Sequence, residues 1–242
     1  MTALTLEAAS RSETGRRSNN EDAVFCSPRI AAVADGVGGH AAGEVASQWA
    51  IEALNQLAKR RLNAPLEVEI AEAVAWGNQT IGFIAECRPE LAGMSTTLTA
   101  IALADDDTFV IANIGDSRTY LLRDGALSQL TRDDSFVQEL VERGHITAEQ
   151  ARTHPSRSLV LKALDGDPEQ RPAIESLAAR AGDRVLLCSD GLSDVLEDGA
   201  IRAVLAGERS RETCADRLVE LALDRGARDN VSVVIADVTQ PA

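Results

Sequence analysis

Between residues 42 and 62, and again between 66 and 86, apolar side chains recur every three to four positions, the period of a helix with one buried stripe. Asn63-Ala64-Pro65 interrupts the pattern where proline cannot continue a helix, so the two segments are expected to form an antiparallel helix pair over one face of a sheet. Ahead of them, short apolar runs at 23–26 and 29–34 flank Ser27-Pro28 and predict a hairpin. Runs at 95–103, 108–114, 117–122 and 126–130 predict an antiparallel meander, its last strand following the turn Arg123-Asp124-Gly125. Residues 133–164 are polar and helix-prone, with His154-Pro155 as a stop. A strand at 184–188, a helix at 211–224 and a strand at 231–236 complete the pattern. The order lacks the regular alternation of a doubly wound fold, and two sheets with helices outside are predicted.

Composition narrows what such a fold can do. A chain of 242 residues supports one large core, and no linker or internal repeat divides it, so one domain over 1–242 is expected. The net charge of -14 lacks the basic stripes that nucleic acid demands, which removes it as a partner. Cys26, Cys87, Cys188 and Cys214 form no C-x-x-C pair and are expected to be ordinary buried thiols in a reducing compartment. The opening residues lack the apolar core of a signal peptide, and no run of about 18 apolar residues exists to cross a bilayer, so no membrane association and a cytoplasmic location are expected.

Three apolar runs end at an aspartate: Asp35 before Gly36, Asp116 after Gly115, and Asp190 before Gly191. Asp229 precedes a fourth run, and Glu21-Asp22 adds an acidic pair. Taken singly, each Asp-Gly is a common turn pair. Taken together, carboxylates at strand ends converge on the rim of a sheet, where their repulsion calls for cations. Oxygen donors suit Mg2+ or Mn2+, and three histidines in the whole chain argue against a zinc site. Arg17, just before Ser18-Asn19-Asn20-Glu21-Asp22, could hold a phosphate through its fork, although on its own an arginine beside Arg16 is more often a solvated surface charge.

The ordered motifs Arg17-Ser18-Asn19-Asn20-Glu21-Asp22, Asp35-Gly36-Val37-Gly38-Gly39-His40, Met94-Ser95-Thr96-Thr97, Gly115-Asp116-Ser117-Arg118, Ser189-Asp190-Gly191 and Asp229-Asn230 span nearly the whole chain. As a set it resembles the bacterial branch of the metal-dependent protein phosphatase 2C family. The resemblance implies an α+β fold, a four-layer α-β-β-α sandwich of two antiparallel sheets flanked by helix pairs. It implies hydrolysis of phosphoserine and phosphothreonine on proteins, opposing a bacterial Ser/Thr kinase, by a monomer. Two divalent cations, Mn2+ or Mg2+, are implied, with Asp35 bridging both, the Gly36 carbonyl on one, and Asp190 and Asp229 on the other. Glu21 and Asp22 would act through waters, with Asn230 beside them. Asp116 with Asp190, helped by Ser158, corresponds to a third site. Arg17 would orient the phosphoryl oxygens while the cations lower the pKa of an attacking water.

The general acid is not implied, because Val37 stands directly after Asp35-Gly36, where other members carry histidine. His40 is the nearest histidine, the acid role is not carried over to it, and a place at the start of the following helix suits it better. Residues 133–157 correspond to a flap beside the active site, and a surface helix pair packing Phe136, Val137, Leu140 and Val141 onto the sheet is the alternative. Two rival functions are a phosphoprotein-binding module without turnover, whose mark would be a lost metal ligand, and a hydrolase of small phosphoesters or nucleotides. No G-x-x-x-x-G-K-[ST] loop supports nucleotide binding.

Overall fold

The computed structural model describes residues 4–37 and 42–240. The strands are β1 (Thr5–Glu13), β2 (Asp22–Cys26), β3 (Ile30–Val37), β4 (Ser95–Thr96), β5 (Leu98–Leu103), β6 (Thr108–Ile114), β7 (Arg118–Arg123), β8 (Ala126–Gln129), β9 (Ala173–Ala178), β10 (Arg184–Cys188) and β11 (Val231–Thr239). The helices are α1 (Ala42–Lys59), α2 (Leu66–Cys87), α3 (Phe136–Glu142), α4 (Ala148–Arg152), α5 (Asp190–Ser193), α6 (Asp198–Gly207) and α7 (Arg211–Asp224). One antiparallel sheet runs β1-β11-β10-β7-β8, and the other runs β2-β3-β5-β6-β9 with β4 beside the end of β3.

Both faces of each sheet are covered, which explains the unbroken apolar runs. Along β3, Ala31 and Val33 pack between the sheets, whereas Ala32 and Ala34 pack under α1 and α2 with Ala46, Ala50 and Leu54. Along β10, Val185 and Leu187 enter the middle layer while Leu186 and Cys188 meet Cys214, Leu218 and Val219 of α7. Successive strand residues point to opposite faces, so a strand clothed on both sides loses its polar alternation. Truncating a fully buried leucine such as Leu54 or Leu187 would cost about 2–5 kcal/mol. The layers therefore run helix, sheet, sheet, helix, the α+β sandwich that the sequence implied.

Local signals place the elements. α2 begins after Pro65 without a side-chain cap, and Glu69 takes the backbone N–H groups of Asn63 and Ala64 instead, closing the turn from α1. Ser135 caps α3, Ser210 caps α7, and Thr147 with Gln150 forms a capping box on α4. Strand 108–114, strand 184–188 and helix 211–224 fall where predicted. The expected strand at 231–236 runs on to Thr239, and the helix expected over 42–62 stops at Lys59.

Among the described residues, β1, β9, α5 and α6 were not predicted, nor was a 3-10 turn at Pro89–Leu91. β1 and β9 are sheet edges, with only Leu6 of β1 fully buried and β9 largely exposed, so neither carries a continuous apolar run. Of the four residues expected to pack from the 133–157 segment, only Val137 is buried. Cys188 and Cys214 are buried thiols, but Cys87 at the end of α2 is exposed. Among the described residues, no helix is long and apolar enough to cross a membrane.

Candidate metal centre

At one end of the sandwich a cleft of about 410 Å3 is lined by Arg17, Glu21, Asp35, Gly36, Asp116, Ser158, Asp190 and Asp229. Asp22 and Asn230 are outside the lining but contact it, Asp22 as the cross-strand partner of Asp35 and Asn230 through the Glu21 N–H. The topology explains the convergence. Asp22 and Asp35 are cross-strand partners on β2 and β3. Asp116 follows β6, Asp190 follows β10, and Asp229 precedes β11, so strands of both sheets deliver their acidic ends to one rim.

The backbone around each carboxylate is fixed. The Asp35 N–H donates to Thr97 Oγ1 at 3.1 Å, and the Asp35 carbonyl accepts from Thr96 Oγ1 and the Thr97 N–H, both at 2.9 Å. Gly36 admits no side chain, because a Cβ there would lie 2.2 Å from the Gly43 carbonyl oxygen and 2.6 Å from that of Glu21. That close approach seats the end of β3 against the start of α1. Gly191 is equally constrained: its Cβ would fall 2.0 Å from the Asn230 carbonyl oxygen. Asn230 ties the Arg17 loop down, with its Nδ2 donating to the carbonyls of Thr14 and Asn19 and its Oδ1 accepting the Glu21 N–H, all at 2.9 Å. Thr97 and Ser117 share a buried hydroxyl bond of 2.8 Å that joins the two acidic strand ends beneath the cleft.

The electrostatics are those of a charge waiting for compensation. Asp35 and Asp190 keep part of their surface toward the cleft, yet burial pushes both carboxyls well above the usual range, and neighbouring aspartates push further. Burial raises Asp116 to about 7, with Asp133 and Asp194 adding repulsion. Burial raises Asp22 to about 6 against hydrogen bonds from Ser232 and Ser189, the latter 2.9 Å long. Asp22 Oδ1 and Asp190 Oδ1 are shut off from solvent and receive no hydrogen bond. An unsatisfied buried carboxylate oxygen is costly unless a cation or proton answers it. The all-oxygen donors and these two orphaned atoms fit hard divalent cations.

Among the described residues, no three His, Cys, Asp or Glu side chains are gathered as a ready ligand set for one ion. The carboxylates are spread along the cleft, so each ion would take one or two of them and complete its shell with carbonyl oxygens and water, as Mg2+ commonly does. Arg17, 57% exposed, is the one cationic side chain lining the cleft among the described residues, and its Nη2 donates to Asp229 Oδ2 at 2.6 Å. Asp229 holds its guanidinium pKa up.

The cleft lining brings together Arg17, Glu21, Asp35, Gly36, Asp116, Ser158, Asp190 and Asp229 of the residues inferred from the motifs, and Asp22 and Asn230 lie outside that lining. His40 lies outside the described residues. Neither His145 nor His154 lines the cleft, and His154 Nδ1 accepts the Ser156 N–H. Asp194 was missed: it sits one turn after Asp190, raises the pKa of Asp116 and Asp190, and meets Arg157 at 3.4 Å. Its spacing from Asp190 on a helix was the available signal. Ser189, quoted only as part of Ser189-Asp190-Gly191, and Ser232 were missed as partners of Asp22, because nothing in either serine's sequence neighbourhood points to Asp22.

A family model described as protein phosphatase 2C matches residues 11–224. The serine/threonine protein phosphatase PstP of Mycobacterium tuberculosis is 51% identical over 97% of this chain, and this chain spans only 45% of that protein's length. The serine/threonine phosphatase stp of Listeria monocytogenes is 36% identical, covering 97% of this chain and 98% of that one. A crystal structure of the PstP catalytic domain in complex with two manganese ions superposes with a TM-score of 0.91 at 48% identity, over 98% of this chain and 99% of that one.

Proposed function

The chain belongs to the protein phosphatase 2C family, and from that membership we propose that it hydrolyses phosphoserine and phosphothreonine on proteins with two divalent cations, Mn2+ or Mg2+. The observation that carries the proposal is the set of enclosed, mutually repelling aspartates beside a single lining arginine. The solved relative with two manganese ions supports the choice of cofactor.

Asp35 would bridge the two cations, the Gly36 carbonyl would hold one, and Asp190 and Asp229 the other. Asp116 and Ser158 would hold a third ion with Asp190, and Glu21 and Asp22 would act through waters. When bound, such a pair supplies charge stabilisation and a water acidified enough to attack phosphorus near neutral pH. Arg17, held beside Asp229, would offer two N–H groups to the phosphoryl oxygens. Asn230 holds the loop that carries Arg17, so the guanidinium is positioned before substrate arrives. The departing alkoxide takes its proton from water or from a side chain outside the residues assigned here.

The chain acts as one phosphatase domain, with residues 133–157 as a flap. Its substrates are phosphorylated proteins, a Ser/Thr kinase and that kinase's targets among them, and the four free cysteines suit a cytoplasmic setting. The test is hydrolysis of a phosphothreonine peptide and of nucleotides with Mn2+, with Mg2+ and with excess chelator. Metal-dependent turnover of the peptide is expected. Turnover of nucleotides alone would favour a small-phosphoester hydrolase, and phosphoprotein binding without any turnover would leave a binding module.

A further inference from the structure

A second pocket of about 200 Å3 adjoins the cleft, sharing Arg17, Ser158, Asp190 and Asp229 with it and adding Arg157 and Arg228. We propose that this pocket is a subsite for a second anionic side chain, phosphoryl or carboxylate, carried by the substrate next to the phosphoresidue being hydrolysed. The inference rests on the phosphatase function proposed above.

In a chain with 38 acidic and 24 basic residues, arginines gather here against the run of charge. Arg228 is exposed and its side chain makes no hydrogen bond or ion pair among the described residues. Arg16 joins it at the rim, with its Nη2 3.9 Å from the point where a side chain on Gly226 would begin. Gly226, at φ +88, keeps that wall open. Three carboxylates also line the pocket. Asp194 is already met by Arg157 at 3.4 Å, a pair exposed enough to be weak and exchangeable. Asp190 and Asp229 are the residues proposed to hold cations, and with those charges balanced the arginines set the field of the pocket.

Part of the cleft lining among the described residues is apolar instead. Val37 and Leu159, both exposed apolar residues, give an anion no hydrogen bond from their side chains. Successive residues of an extended peptide stand about 3.3–3.6 Å apart, so a side chain one or two positions from the phosphoresidue reaches the adjoining pocket. Arginine forks favour phosphoryl and carboxylate oxygens alike. An isolated surface arginine is ordinarily just solvated, but here several converge on a cavity that opens into the reaction site.

The test compares phosphothreonine peptides that carry alanine, aspartate or a non-hydrolysable phosphonate beside the phosphothreonine, each rate normalised to the same protein's rate on para-nitrophenyl phosphate with Mn2+. Wild type is expected to favour the anionic neighbours about three- to tenfold in kcat/KM, less at high salt. In Arg228→Ala that ratio should fall to near one, and in Arg228→Lys it should persist. A larger gain for phosphonate than for aspartate marks the subsite as a second phosphate site, and equal gains mark it as a general acidic one. A ratio near one in wild type, or an unchanged ratio in Arg228→Ala, overturns the inference while leaving the phosphatase function standing. Failure to hydrolyse even para-nitrophenyl phosphate would instead overturn that function, and this subsite with it.

Discussion

Asp183 and Asp35 are enclosed aspartates of the same sandwich, and their surroundings are opposite. Asp183, 2% exposed, receives the Arg123 guanidinium through Nε at 2.7 Å and Nη2 at 2.6 Å. Asp133 is matched likewise by Arg118 at 2.6–3.0 Å. Asp35 faces Asp22, Asp190, Asp116 and Asp229 instead, so burial first and their repulsion second push its pKa up. Where the fold alone is at stake, the chain supplies its own cation. At the cleft it leaves carboxylates to repel one another, an arrangement that destabilises the metal-free fold and makes sense only if cations arrive from solution.

Asp35→Asn breaks the comparison most severely. Phosphatase activity with Mn2+ should fall on the order of a thousandfold, because charge stabilisation by the ions is lost. The melting temperature of the metal-free protein should not fall, and is expected to rise, since one repelling carboxylate has gone. Asp183→Asn should do the reverse, leaving Arg123 uncompensated at a cost of about 3 kcal/mol in denaturant unfolding. Activity per folded molecule should be preserved. Arg17→Ala should lower kcat/KM for a phosphothreonine peptide about ten- to a hundredfold. Because the Arg17–Asp229 pair is largely exposed, its loss should change stability by less than about 1 kcal/mol.

The smallest effect is one of pH. Folding raises Asp22 from 3.8 to about 6 and Asp116 from 3.8 to about 7. Both carboxyls bind protons more tightly folded than unfolded, so metal-free stability is highest below pH 4 as far as these groups are concerned, and is lost as pH rises through the folded values. The melting temperature of metal-free protein should therefore fall by a few degrees between about pH 5 and about pH 8. Added Mn2+ should cancel the decline, and a rise with pH would show that the cluster is not strained.

The central layers were legible because burial on both faces writes itself into the chain. Val185-Leu186-Leu187-Cys188 and Val110-Ile111-Ala112 could be little else than strands. β1 and β9 escaped because an edge strand needs few apolar residues, and α5 escaped because four residues hold no period. The ordered aspartate motifs made the site legible in outline. What they hid was spatial: that Asp22 and Asp35 stand opposite on neighbouring strands, that Asn230 ties down the Arg17 loop, and that Asp194 presses on Asp116 and Asp190. Such relations depend on register and loop closure, to which single residues give no signal.

The most direct measurement is calorimetric titration of metal-free protein with Mn2+ near pH 7, in buffers of different ionisation heat. Binding of two ions should be accompanied by proton release, because carboxyls raised by burial and repulsion must lose their protons when a cation takes their place. Mn2+ binding without proton release, or no binding at all, would contradict the claim that these aspartates are left unmatched for metal.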